Sequence, residues 1–197
     1  IIVGGGHAGI EAAFALSRAG IQSTIITMSS EATGRLSCNP AVGGLAKSHL
    51  VKEIDALGGI MGHAADATSI QLKTLNKTKG RAVWSLRAQI DKKQYPKYIK
   101  KLITKNKYIS IFEDEAVAIT VKKNKLSGIK LKHYGHLGCQ SAIITCGTFL
   151  NGLIHIGLNS FPAGRMGEPG SYGLTESLID HGFSSGRLKT GTPPRIS

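Results

Sequence analysis

The chain opens on its most constraining feature. Ile1-Ile2-Val3 is apolar and runs directly into Gly4-x-Gly6-x-x-Gly9. A helical pattern begins at once, with Ala12, Ala13, Leu16 and Ala19 recurring at three- and four-residue steps before Gly20 stops it. Residues 23–28 form a second apolar run. Strand, glycine turn, helix and strand make a β-α-β unit, which implies a parallel sheet with a right-handed crossover. In such a unit Gly4 permits the tight turn, Gly6 lets a pyrophosphate approach the backbone, and Gly9 lets helix and strand pack closely. The helix N-terminus adds free N–H groups and a positive dipole end. Gly4, Gly5, Gly6, His7, Ala8 and Gly9 are therefore the candidate dinucleotide-binding residues. An acidic residue at the end of the second strand would ordinarily grip a ribose hydroxyl, but the chain reads Ile26-Thr27-Met28-Ser29 there. Glu31, Thr27, Ser29 and the backbone are the alternatives, with Glu11 on the first helix as the other acid.

Further along, periodicity predicts a helix over 45–57, a strand at 69–72 and a long helix over 82–105 that Pro96 should kink or split. A strand at 109–112 precedes a hairpin of 116–121 and 128–132 around Lys123-Asn124-Lys125. Residues 142–145 read as a further buried strand and 174–181 as a helix. The segment Thr145-Cys146-Gly147, ending a strand after a hairpin excursion, resembles a recurrent segment of two-dinucleotide flavoproteins and favours FAD over NAD. The fold class is thus α/β, a Rossmann-like FAD-binding domain of the two-dinucleotide type. Residues 1–197 form one FAD-binding domain whose ends look internal to a longer protein.

The net charge of +13 raises the prospect of a polyanionic partner. Alone it does not single out nucleic acid, because lysines over 92–107 and 122–132 also suit solvated faces of a helix and a hairpin. Cys38, Cys139 and Cys146 are odd in number and form no C-x-x-C pair, which argues against a disulfide framework or a zinc site. His49, His63, His155 and His181 lack metal-ligand spacing, so no metal is assigned. Cys38 stands out. It lies in the polar loop Ser37-Cys-Asn-Pro-Ala-Val-Gly-Gly44 before a helix, a setting that lowers a thiol pKa, although an inert loop cysteine has the same spacing. Cys139 and Cys146 read as structural. No apolar run is long enough to span a bilayer.

Taken together, Gly4–Gly9, Ser37–Gly44, Val51-Lys-Glu-Ile-Asp-Ala-Leu-Gly-Gly59, Leu75-Asn76…Lys79-Gly80 and Arg87-Ala-Gln-Ile-Asp91 resemble the GidA/MnmG family in order and spacing. So do Gly147-Thr-Phe-Leu-Asn-Gly152 with Ile154-His-Ile-Gly157, Ala163-Gly-Arg165, and Gly186-Arg-Leu-Lys-Thr-Gly-Thr-Pro-Pro-Arg195. The chain departs from that pattern at Arg81, where the family usually has proline, and at Ser48, where glycine is common.

The resemblance implies an enzyme that places an aminomethyl or carboxymethylaminomethyl group on C5 of the wobble uridine of tRNA. It implies FAD and NADH as cofactors, NADH being held outside these residues. It further implies methylenetetrahydrofolate as one-carbon donor, an MnmE/TrmE-family GTPase partner, a homodimer, and a cytoplasmic setting, mitochondrial in a eukaryote. Carried onto this chain, Gly4–Gly9 hold the FAD pyrophosphate, Val117 and Ser171 match FAD contacts, and Cys38 matches a catalytic cysteine. Arg165, Arg187, Lys189 and Arg195 are candidates for phosphate contacts. A folate-dependent tRNA uridine methyltransferase of the TrmFO type, a generic flavin oxidoreductase and a non-catalytic binding module are the alternatives.

Overall fold

The computed structural model describes residues 1–37 and 39–191. Its first half comprises β1 (Ile2–Val3), α1 (His7–Arg18), β2 (Ser23–Thr27), β3 (Ala41–Gly43), α2 (Lys47–Ala56), α3 (Met61–Thr68), β4 (Ser69–Leu75), β5 (Ser85–Ile90) and α4 (Gln94–Thr104). There follow β6 (Ile109–Glu113), β7 (Ala116–Lys122), β8 (Lys125–Leu131), β9 (His136–Gly138), β10 (Ile143–Ile144), β11 (Leu153–Ile156), β12 (Asn159–Pro162) and α5 (Leu174–Asp180). The central sheet has the order β10-β1-β2-β6, and every pairing in it is parallel.

Both faces of this sheet are covered, and strand alternation sorts its side chains between them. Ile2 and Ile25 face a core that includes Ile10, Ala13, Tyr95, Ile99 and Ile103 from α1 and α4. Their neighbours Val3 and Ile26 face the other core, with Ala116, Ile129, Leu131 and Leu174 from the β7–β8 hairpin and α5. β1 is only two residues long. Full burial of an isoleucine such as Ile2 is worth about 2–3 kcal/mol, against about 1 kcal/mol net for a backbone hydrogen bond, so packing and the ladders on both edges hold this short strand to a similar degree.

Several expectations are met closely. Gly20 has φ +72° at the end of α1. Lys123 and Asn124 both adopt left-handed φ in the two-residue loop between β7 and β8, as a primed turn requires. The helix expected over 82–105 is wrong in its first half. Residues 85–90 form β5, antiparallel to both β3 and β4. Leu86, Arg87, Ala88 and Gln89 are good helix formers, but pairing on both edges overrides that preference. Pro96 neither kinks nor splits α4. It lies in the first turn, where its missing N–H has no intrahelical acceptor. Asp91 supports the entry to the helix, its Oδ1 accepting the Lys93 and Gln94 N–H groups at 2.8 and 2.9 Å. The strand at 142–145 is not buried: Ile143 and Ile144 of the edge strand β10 are 38% and 37% exposed. α3 and β3 are elements that the periodicity did not reveal.

One buried acid roots the hairpin. The Asp114 N–H donates to Thr27 O at 3.0 Å, where β2 ends. Its carboxylate, whose side chain is 2% exposed, accepts the N–H groups of Glu115 and Tyr134 at 2.7 and 2.8 Å and the His133 ring Nδ1 at 2.8 Å. Burial alone would raise its pKa, but these donors outweigh burial and hold it at about 2, below the ordinary 3.8. A depressed folded-state pKa gives stability that is full above the unfolded value and is lost as pH falls through the folded one. The Asp114 contribution should therefore be intact above pH 3.8 and decay toward pH 2. Asp114→Ala should cost about 1–3 kcal/mol at neutral pH. Denaturant unfolding of wild type and variant should converge as the pH is lowered through that window, and a constant gap would contradict this role.

Candidate dinucleotide site

The parallel strands β10, β1, β2 and β6 end together, and the glycine turn lies at those carboxyl ends, the usual place for a ligand in an open α/β sheet. The three glycines differ in what requires them. Gly4 has φ +115°, and a Cβ there would stand 2.5 Å from Thr145 O. A Cβ on Gly9 would strike Gly4 O and come within 2.8 Å of Thr145 Oγ1. Both are demanded by the protein itself. Gly6 is not: it has extended backbone, φ −78° and ψ −177°, and its Cβ would meet nothing within 4 Å. Packing among the described residues leaves Gly6 unexplained, and the open space beside it admits a close-approaching ligand.

Among the described residues no side chain caps α1, and its first turn carries no acid. Its orphan N–H groups and positive dipole end are thus left for an external anion. A pyrophosphate fits this cradle. His7 sits at the first helical position, but burial first and the charge of Lys47 second push its pKa down to about 4. It is neutral at pH 7 and packs at a tilt against Tyr95, 5.7 Å between ring centroids, so it offers its backbone N–H and no cationic charge. Thr145, the first residue of the Thr145-Cys146-Gly147 segment, has a structural part here. Its hydroxyl donates to Val3 O at 2.9 Å and Gly4 O at 3.3 Å, tying the end of β10 to the turn.

The acids considered for a ribose are occupied. Glu11 Oε1 accepts the Ile60 and Met61 N–H groups at 3.0 and 2.7 Å, serving as cap for α3. Glu31 is exposed and pairs with Lys100 Nζ at 2.7 Å. Thr27 Oγ1 donates to Ser29 O at 3.1 Å.

Val117 and Ser171 lie on neighbouring segments. A Cβ on Gly173 would stand 2.8 Å from Val117 O, and buried Ser171 donates its N–H to Phe149 O at 2.8 Å. The Asp114–Thr27 bond roots this hairpin beside the turn, since Thr27 Oγ1 lies 3.1 Å from a Cβ built on Gly5. Cys38 and Arg195 lie outside the described residues. The segment leading to Cys38 packs on the glycine turn: Gly34 N–H donates to Gly5 O at 3.0 Å, and Thr33 and Leu36 are buried. Arg165 is committed to Glu168, which also pairs with Arg35, and lies over the Phe149 ring at 5.2 Å. Arg187 donates to Asn151 O at 2.6 Å. Lys189 is exposed. Burial pushes the Cys146 thiol up to about 11, which makes it inert at neutral pH.

The family model of Glucose inhibited division protein A matches residues 1–197. A protein of Chlorobaculum tepidum named tRNA uridine 5-carboxymethylaminomethyl modification enzyme MnmG is 50% identical over 197 residues, which are 100% of this chain and 32% of that protein. A protein of the same name from Thermodesulfovibrio yellowstonii is 52% identical over 196 residues, covering 100% of this chain and 31% of the relative. This chain thus spans about a third of the length of these relatives. A crystal structure of Aquifex aeolicus GidA matches with a TM-score of 0.87 at 46% identity, covering 93% of this chain and 30% of that one. A GidA-related protein of Thermus thermophilus shares the fold, with a TM-score of 0.63 at 18% identity over 93% of this chain and 68% of that one.

Proposed function

This chain belongs to the GidA family, its whole length matching the family model, and from that premise we propose that residues 1–197 form the FAD-binding part of an enzyme that modifies the wobble uridine of tRNA. The reaction adds an aminomethyl or carboxymethylaminomethyl group at C5. One observation carries this reading above the others: relatives at 50–52% identity across the chain bear the name of that modification enzyme. The glycine cradle, with its unexplained Gly6 and uncapped α1, supports the cofactor half.

In this reading the N–H groups of the Gly4–Gly9 turn hold the FAD pyrophosphate, while Val117 and Ser171 contact the cofactor from the hairpin side. FAD, when bound, supplies the redox chemistry by which the one-carbon unit of methylenetetrahydrofolate reaches the uridine, with NADH as reductant. Cys38 adds through its sulfur to uridine C6, which makes C5 nucleophilic, and once C5 has been substituted a base removes the C5 proton as the thiolate leaves C6 and the C5–C6 double bond re-forms. A GTPase partner of the MnmE/TrmE family, a homodimer and a cytoplasmic setting, mitochondrial in a eukaryote, complete the reading. Among the described residues no helix is long and apolar enough to cross a membrane. Lys189, and Arg165, Arg187 and Arg195, are the phosphate-contact candidates, of which Arg165 and Arg187 would first have to give up their present partners.

Deleting the gene should remove the C5 modification from wobble uridines, and mass spectrometry of digested tRNA reads this directly. Unchanged nucleosides would reject the tRNA reading and leave a flavin oxidoreductase acting on small molecules.

A further inference from the structure

A basic surface is carried by the β4–β5 hairpin. β4 and β5 are joined by residues 76–84, and from Ala67 to Ile90 the chain holds no acid, while carrying Lys73, Lys77, Lys79, Arg81 and Arg87. Lys73 and Arg87 stand directly opposite each other in the β4–β5 register, an arrangement of like charges that costs stability unless an anion lies across it. Among the described residues neither forms an ion pair with an acid. The third residue in that row is Gly43 of β3, which brings no side chain of its own. Alternation puts Leu72 and Leu86 on the opposite face of the sheet, so the basic face is free of their side chains.

The connecting loop is built rather than slack. Asn76 and Gly80 take left-handed φ of 59° and 94°. Asn76 Nδ2 donates to Val83 O at 3.3 Å, and Trp84 Nε1 donates to Lys77 O at 3.2 Å, closing the loop at two levels. Arg81 lies over the Trp84 ring at 5.9 Å, so the tryptophan serves as a platform for a cation. Lys77, Lys79 and Arg81 are exposed on this frame. At the foot of the hairpin an open groove of about 440 Å³ runs between β4 and α4, and Lys97 and Lys101 line it beside Tyr98. Asp91 is the acid in that groove, and its carboxylate is taken up by the start of α4.

We propose that the β4–β5 hairpin, through Lys77, Lys79 and Arg81 with Lys73 and Arg87 behind them, holds the phosphate backbone of the tRNA. This rests on the proposed function and adds to it a docking surface made of residues other than those of the glycine turn. The chemistry favours RNA over an acidic protein. Protein interfaces exclude lysine from their cores and bury apolar anchors, whereas this face combines cations with a preformed loop. Such contacts fix the register of a nucleic acid without reading its bases.

The test uses the whole FAD-loaded protein and a tRNA transcript with a wobble uridine, titrated across a series of salt concentrations. Lys77→Ala/Lys79→Ala/Arg81→Ala should weaken binding by at least about tenfold and lower the log–log salt slope by about 2–3, at roughly 0.7–0.9 for each phosphate no longer neutralised. The flavin spectrum should not change. Lys122→Ala/Lys123→Ala/Lys125→Ala removes the same charge from the tip of the β7–β8 hairpin and should leave both quantities close to wild type. Equal binding and slope in the first variant would overturn the surface, and so would equal losses in the two variants. Loss of binding to an acidic partner protein with tRNA binding intact would also overturn it. Failure of the wild-type protein itself to bind the transcript would instead reject the underlying tRNA reading.

Discussion

Replacing Gly6 with valine in the whole protein is expected to abolish FAD retention and yield a colourless, folded product. The neighbouring glycines cannot support so clean a test. A side chain on Gly4 would collide with the Thr145 carbonyl, and one on Gly9 with the Gly4 carbonyl, so those variants would damage the turn before any ligand arrived. Gly6 is different. Its φ of −78° and ψ of −177° suit any residue, valine included. Its Cβ would enter space open among the described residues, so the change costs the protein little beyond a poorer N-cap for α1. A ligand lying on the turn would lose the close approach. Two backbone N–H bonds to a charged phosphate are worth about 1.5–3 kcal/mol each, so their loss loosens binding by about 10²- to 10⁴-fold. The measurements are the flavin absorbance of the purified protein and its circular dichroism. Full flavin loading of a well-folded Gly6→Val protein would show that the cofactor does not lie on this turn.

That prediction came from the sequence, but its sharpness came from the structure. The glycine spacing located the turn because strand, turn and helix are contiguous and their signals are local. It treated the three glycines alike, and only their surroundings separate Gly4 and Gly9, required by Thr145 and by each other, from Gly6. The long-range partners were out of reach for the same reason. Glu11 looked like a ribose ligand, yet it caps a helix 49 residues later, and nothing near Glu11 in the chain announces Ile60. Asp114 and His133 are likewise joined only once the hairpin has folded. Residues 85–90 went wrong where tertiary pairing defeats local preference: Leu-Arg-Ala-Gln suits a helix until β3 and β4 close on either side. The basic hairpin was visible as composition, but the opposition of Lys73 to Arg87 needs the register.

Cys38→Ser should keep FAD and lose wobble-uridine modification, by on the order of 10³-fold or more if the sulfur is the nucleophile. The three cysteines are not equivalent. Burial raises the Cys146 pKa to about 11, so only about one molecule in 10⁴ would carry a thiolate there at pH 7. Burial also raises the pKa of Cys139. An unperturbed thiol at about 8.5 is a few per cent ionised at the same pH and already a competent nucleophile. Cys38 is the remaining cysteine, and the segment before it packs on the glycine turn, Gly34 N–H donating to Gly5 O while Thr33 and Leu36 are buried. Serine has nearly the same shape but holds its proton far too tightly to replace a thiolate, so the variant removes chemistry and little else. Cys139→Ser is the control and should modify tRNA as the wild type does. Mass spectrometry of tRNA from strains expressing each variant, read beside the flavin spectra of the purified proteins, separates the outcomes. Full modification by Cys38→Ser would end its role as nucleophile, whereas a loss of both flavin and modification would make Cys38 part of the cofactor cradle.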